Sequence, residues 1–183
     1  MENIAVSVFG ERQQKLDSFA AWLKTVGIDA SKTRVGEYQR FISYLSSKSR
    51  QDFSEEDSSR MVYTLREVEE LLWIQKGLMS QKLSSGIDLL KKILGGSPLA
   101  KDDSSNTLAR DFQLELRIAS YFIQTGFAVD MNEDADLEVA FPDGKLIVEC
   151  KRLKSPSKIL KRAKLAARQL KNRYKSTNQQ KCG

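Results

Sequence analysis

Asp136 and Glu149, thirteen positions apart, and Lys151, two positions further on, are the residues of this chain whose types and spacing could do chemistry. They lie in Ala135-Asp136-Leu137-Glu138-Val139 and Ile147-Val148-Glu149-Cys150-Lys151, which read as two short strands joined by a tight turn at Phe141-Pro142-Asp143-Gly144. Side chains two apart on a strand point the same way. Glu149 and Lys151 therefore project together, while Leu146, Val148 and Cys150 face the other side. Apolar strands have no need of such groups, and burying them unpaired is expensive. A carboxylate and an ammonium on one strand face, beside a second acid, make a candidate site for metal-assisted hydrolysis.

The hairpin can close in two ways. With Asp143-Gly144 as a two-residue turn, Pro142 faces Lys145, Ala140 faces Ile147, Glu138 faces Glu149 and Asp136 faces Lys151. Like carboxylates opposite each other repel unless a cation lies between them. With Pro142-Asp143-Gly144 as a three-residue loop and Gly144 in a bulge, the register shifts by one and Asp136 turns to the other face unless a further bulge restores it.

The composition narrows the chemistry. The 183 residues are 40% apolar and 30% charged, as in a soluble globular protein of one medium domain or two small ones. No apolar run approaches the ~20 residues of a membrane span. Met1-Glu2-Asn3-Ile4 has no basic start before an apolar run, so no secretory signal is expected. Cys150 and Cys182 make neither a disulfide framework nor a cysteine-rich metal site, and the expected location is cytoplasmic. There is no histidine, which excludes the usual serine and cysteine triads, histidine zinc sites and histidine-based nucleases. Any metal site must use carboxylates and backbone oxygens, which suit magnesium or manganese. Of the 30 Lys+Arg, 12 fall from Lys151 onward with no acid among them, leaving 18 against 24 acids, a net −6, in residues 1–150. So basic an end suits a polyanion partner or is simply solvated.

The elements that must position these residues follow from periodicity and punctuation. Helices are predicted over 11–26, 33–47, 61–80 and 86–94, with a polar loop from Ser46 to Arg60 and a linker over 97–106. Residues 1–100 thus read as an all-α domain in which Trp22 and Trp73 belong to the core. A long helix over 107–125 carries an apolar stripe of Leu108, Phe112, Ala119 and Phe122, with Glu115 inside it or at its edge. Strands follow at about 127–131, 136–141 and 145–151. Ser155-Pro156 opens a last helix to about Tyr174. Its predicted buried face is Ile159, Leu160, Ala163, Ala166, Ala167, Leu170 and Tyr174; Lys158, Lys161, Lys164, Arg168, Lys171 and Lys175 form a basic face able to lie along phosphates.

Helix with glutamate, strand, strand with aspartate, hairpin, strand with Glu-x-Lys, helix: this order resembles the PD-(D/E)xK nuclease superfamily over about residues 107–175. Glu149-Cys150-Lys151 is similar to the (D/E)xK element, Asp136 to the preceding acid, Glu115 to a glutamate often found on the first helix, and Gln169 to a helix glutamine of some branches. Ala135 stands where the motif name has proline. The resemblance implies an α/β, restriction-endonuclease-like αβββα core over 101–183 preceded by the helical domain over 1–100. It implies Mg2+- or Mn2+-dependent phosphodiester hydrolysis in nucleic acid, DNA in the first place. Asp136 and Glu149 would hold the metal, with the Cys150 carbonyl and Glu115 completing its shell, and Lys151 would orient water or stabilise developing charge. Lys158, Lys161, Lys164, Arg168, Gln169 and Lys171 would meet the nucleic acid. The alternative is a non-catalytic nucleic-acid-binding or adaptor protein in which Asp136, Glu149 and Lys151 form a structural ion-pair cluster. The family core usually has a further strand after its second helix, whereas Ser176-Thr177-Asn178-Gln179-Gln180-Lys181-Cys182-Gly183 is polar. The final strand is thus expected to be missing or the chain to be a fragment, with the open sheet edge or the helical domain as a surface for a homodimer or partner protein.

Overall fold

The computed structural model describes residues 2–81, 86–99, 108–131, 136–153 and 155–180, with residues 2–8, 50 and 175–180 described by backbone alone. These residues form a mixed α/β architecture that is mostly helical. There are six α-helices and a three-stranded antiparallel sheet in the order β1-β2-β3. Among the described residues no helix is long and apolar enough to cross a membrane.

The first helix, α1 (Glu2–Thr25), starts well before the predicted residue 11. Ile4, Val6 and Val8 alternate as a strand would, and Gly10 interrupts the helical pattern. Packing overrides that local preference, for Phe9 is buried and its ring meets Phe53 at 6.2 Å. Thr33 caps α2 (Arg34–Ser46), its hydroxyl accepting from the Val35 amide at 3.2 Å. The polar stretch read as a loop to Arg60 is shorter, because α3 (Glu55–Ser80) begins at a capping box. The Asp57 amide donates to Ser54 Oγ at 3.0 Å and the Ser54 amide donates to Asp57 Oδ2 at 3.2 Å. Next, α4 (Gly86–Leu94) matches its predicted span and buries Leu90, Ile93 and Leu94.

The core is continuous across residue 100, from Phe9 and Leu16 through Leu90 to Leu116, Leu137 and Val139. The expected domain boundary itself falls on residues 100–107, outside the described ones. The fifth helix, α5 (Leu108–Gln124), packs on α3 and α4. The predicted apolar stripe holds in part: Ala119 is buried, and Phe112 and Phe122 are partly buried against the core. Leu108 is exposed, while Arg110, Gln113, Leu116, Ala119, Ser120 and Ile123 are buried. Polar groups can occupy that side because α3 supplies their partners. Glu67 pairs with both Arg34 of α2 and Arg110. Gln113 donates to Glu67 Oε2 at 3.2 Å and to Glu70 Oε2 at 2.8 Å, and Arg117 pairs with Glu70 at 2.7 Å. The helices touch where Gly77 meets Ser120, and a Cβ at Gly77 would overlap Ser120 Oγ.

The sheet consists of β1 (Val129–Asp130), β2 (Leu137–Phe141) and β3 (Gly144–Val148). Phe141 pairs with Gly144 and Leu137 with Val148, so Pro142-Asp143 is the two-residue loop and neither predicted closure is adopted. The physical reason lies in the proline and the glycine. A turn at Asp143-Gly144 would pair Pro142 opposite Lys145, and proline has no N–H for a ladder. One step back, proline sits in the loop and Gly144 takes φ +155°, a conformation that L side chains rarely adopt. The shift leaves Asp136, Glu138 and Glu149 on a common face, as the first closure had them, but changes who stands opposite whom. Leu137 and Val139 point to the core and are fully buried.

A short 3-10 turn (Pro156–Lys158) leads into α6 (Ile159–Gln180), which runs beyond the predicted Tyr174. Ser155 occupies the cap position but makes no side-chain capping bond. The predicted buried face of α6 is corrected. Ile159 is 51% exposed, Leu160 66% and Tyr174 68%, while Leu165, Ala166, Gln169, Leu170 and Arg173 are the half-buried residues. The helix is turned toward the sheet by charge at its inner side, described next, rather than by its largest apolar side chains.

Candidate active site

The ladder between β2 and β3 ends at Leu137 and Val148, and one step beyond it Asp136 comes opposite Glu149. Both acids therefore sit at the frayed end of the hairpin, on the face away from Leu137 and Val139. Such a pair of like charges needs a cation, and Lys151 provides one. Its Nζ lies 2.9 Å from Glu149 Oε2 and 3.4 Å from Asp136 Oδ2. Asp136 Oδ2 also accepts from the backbone N–H of Cys150 at 2.6 Å. These bonds fix the carboxylate of β2 against the chain leaving β3. Glu138, expected opposite Glu149, is instead held by Lys145 at 3.0 Å, a consequence of the two-residue shift in pairing.

Glu149 is the most enclosed acid of the group. Its side chain is 0% exposed, against 21% for Asp136 and 20% for Lys151. Its second oxygen pairs with Arg173 of α6. Little in the sequence singles out Arg173 among the 12 basic residues of the acid-free tail. The available signal was its spacing of four from Gln169, which puts both on one side of the helix. Gln169 is half-buried on that inner side, and its Oε1 has no hydrogen-bond partner among the described residues.

From the other direction α5 brings Glu115. Burial pushes its carboxyl up to about 7, and the nearby charge of Asp136 adds to the rise, partly offset by Lys151. Glu115 thus lies at the edge of the core within electrostatic reach of both hairpin residues. The same surroundings act on Cys150. Burial, then Asp136 and Glu115, push its thiol up to about 12, so it stays protonated and is no nucleophile. Ala135, Cys182 and the side chain of Lys175 lie outside the described residues.

Carboxylate oxygens suit a hard divalent ion, and Asp136, Glu149 and Glu115 fit magnesium in donor type. In this arrangement the position between Asp136 and Glu149 is held by the Lys151 ammonium. Among the described residues no group of three acidic or cysteine side chains stands arranged to hold a metal ion. The basic residues expected to meet nucleic acid divide into two sets. Lys158, Lys161, Lys164, Arg168 and Lys171 are exposed, and the first four line a shallow groove with Arg162 and Leu165. Gln169 belongs to the inner side with Arg173. No family model matches the chain, nor does a curated protein or a solved structure.

Proposed function

We propose that this chain is a metal-dependent nuclease of the PD-(D/E)xK kind, acting on DNA, with α5-β1-β2-β3-α6 as its restriction-endonuclease-like core. The observation that carries the reading is the meeting of Asp136 and Glu149 at Lys151, with Glu115 coupled to the first and third of them from α5. Two acids from adjacent strands, a lysine two residues past one of them and a third acid with a raised pKa are the parts that phosphodiester hydrolysis needs. The acid-free tail supports the choice of a polyanion as substrate.

In this reading Asp136 and Glu149 would hold a divalent cation, which would supply a water of lowered pKa and neutralise charge on the phosphate. The chain does the rest. Lys151, a compact ammonium with three donors, orients the attacking water or meets the charge that develops on the phosphate. The Cys150 amide keeps Asp136 turned toward Lys151. Glu115, poised near neutrality, can take or return a proton at the edge of the site. Lys161, Lys164, Arg168 and Lys171 hold backbone phosphates without reading sequence.

A second reading keeps the nucleic acid and drops the chemistry. It is favoured by one observation: Lys151 and Arg173 between them already neutralise Glu149, as a purely structural cluster would require. The experiment that separates the two is cleavage of supercoiled plasmid and linear duplex with magnesium, manganese or EDTA. The nuclease reading expects metal-dependent nicking or cleavage, abolished by Asp136→Ala, Glu149→Ala or Lys151→Ala in variants that keep the far-ultraviolet spectrum. Wild-type-like cleavage by Glu149→Ala overturns it.

A further inference from the structure

Arg173 and Lys151 pair with different oxygens of the Glu149 carboxylate, and together with Asp136 they form a balanced set of charges: two carboxylates, one ammonium, one guanidinium. Glu149 itself is shut away from water, whereas Arg173 is 23% exposed and Lys151 20% exposed. Each cation is thus held at the acid by a side chain that is itself only part-buried. We propose that this is a self-neutralised resting state, in which a phosphate and a divalent cation bind as a coupled pair and Arg173 passes from Glu149 to the phosphate.

The coupling follows from charge and space. A divalent cation entering alone must displace Lys151 from between Asp136 and Glu149, leaving two buried or half-buried cations without their acid. A phosphate entering alone draws Lys151 and Arg173 away and strands a fully buried carboxylate. Entering together, each removes the obstacle to the other. The phosphate takes the guanidinium and the ammonium, and the cation takes the oxygens they release. Arginine suits the transfer because its planar fork fits two phosphate oxygens as well as it fits a carboxylate. Arg173 lies in α6, the element that carries the basic stripe, so the helix that recruits the polyanion also holds the latch. By linkage the phosphate must raise cation affinity by the factor by which the cation raises polyanion affinity. The inference rests on the nuclease reading of the same residues and adds to it a residue and an order of events.

The test measures binding rather than turnover. Manganese affinity is measured by calorimetry with and without a short phosphorothioate duplex that resists hydrolysis, corrected for metal held by the duplex alone. Duplex affinity is measured by fluorescence anisotropy with and without manganese at fixed ionic strength. The wild type should show reciprocal coupling of about tenfold or more. In Arg173→Gln manganese should bind the free protein more tightly, and coupling should fall below about threefold. Lys24→Gln, the same change of charge on α1, should keep the wild-type factor. Coupling retained in Arg173→Gln overturns the proposal, as does its loss in Lys24→Gln. Should Arg173→Gln fail to fold, Glu149→Gln serves instead. Freed of its carboxylate partner, Arg173 should raise metal-free duplex affinity by about threefold or more, and an unchanged affinity overturns the proposal. Equal manganese affinity with and without duplex overturns the coupling and leaves the nuclease reading standing. Absence of manganese binding in both conditions overturns the two together.

Discussion

Burial and the charge of Asp136 both oppose ionisation of Glu115, whose carboxyl stands at about 7 in the fold against an ordinary 4.5. Below the ordinary value the proton is bound in both folded and unfolded chains. Between the two values only the folded chain holds it, so stability falls as pH rises through that window and the loss is complete above about 7. Glu115→Gln removes the titration. It should be more stable than the wild type above pH ~7.5, by on the order of 1 kcal/mol after solvent screening, and should lose that advantage near pH ~5. Urea denaturation at a series of pH values checks this, and equal pH profiles for the two proteins would refute the raised carboxyl of Glu115. Magnesium should flatten the wild-type profile, because a cation among the acids favours their charged forms.

Among the elements, α3 and α5 approach closely enough that Gly77 has no room for a side chain against Ser120. Gly77→Ala should therefore destabilise by about 1–3 kcal/mol despite the better helix propensity of alanine, through overpacking. Pairing it with Ser120→Gly should recover only part of the loss, because the Ser120 Cα would still lie 2.8 Å from the new Cβ, and a double-mutant cycle would read the coupling. The element that faces outward is α6. Replacing Lys161, Lys164, Arg168 and Lys171 with alanine should weaken duplex binding for all sequences alike, the salt slope falling by roughly 0.9 for each phosphate no longer neutralised. An unchanged slope would mean that the stripe meets only solvent. Leu160→Ser on the same helix should cost no more than about 0.5 kcal/mol, since Leu160 is exposed.

At the scale of the whole molecule, the buried polar network decides how the halves of the chain are joined. Glu67 of α3 stands between Arg34 of α2 and Arg110 of α5, whose side chains are 0% and 3% exposed. Arg110 also reaches past the core to donate to the Ser97 carbonyl at 2.9 Å, and Tyr38 donates to the Pro98 carbonyl at 2.9 Å. Glu67→Ala would leave two guanidiniums buried without their acid, a loss of about 3–5 kcal/mol. Because the network spans α2, α3 and α5, the wild type should unfold in one transition seen equally by helical signal and by tryptophan fluorescence. Two separated transitions would show that the helices joined by this network do not unfold as one unit.

Periodicity and punctuation in the sequence determined α2, α4 and α5 closely, the approximate strands and the pairing of Glu149 with Lys151, because helix repeat, strand alternation and Gly or Pro stops are local properties; the side taken by Asp136 was decided by the folded register. The start of α1 was hidden by alternating β-branched residues and Gly10, and that of α3 by a polar run whose capping box was read as loop. Hydrophobicity marks Phe112, Ala119 and Phe122 on α5 but not Arg110 and Gln113, because it cannot show that these two have acids waiting on α3. The hairpin register lies outside both closures that the sequence suggested, because proline's missing donor moves the turn to Pro142-Asp143 in the folded ladder. Only tertiary structure could reveal that Arg173 reaches Glu149 and that α6 leaves Ile159, Leu160 and Tyr174 exposed. Contacts between residues far apart in sequence depend on how whole elements dock, and no spacing within one element records that.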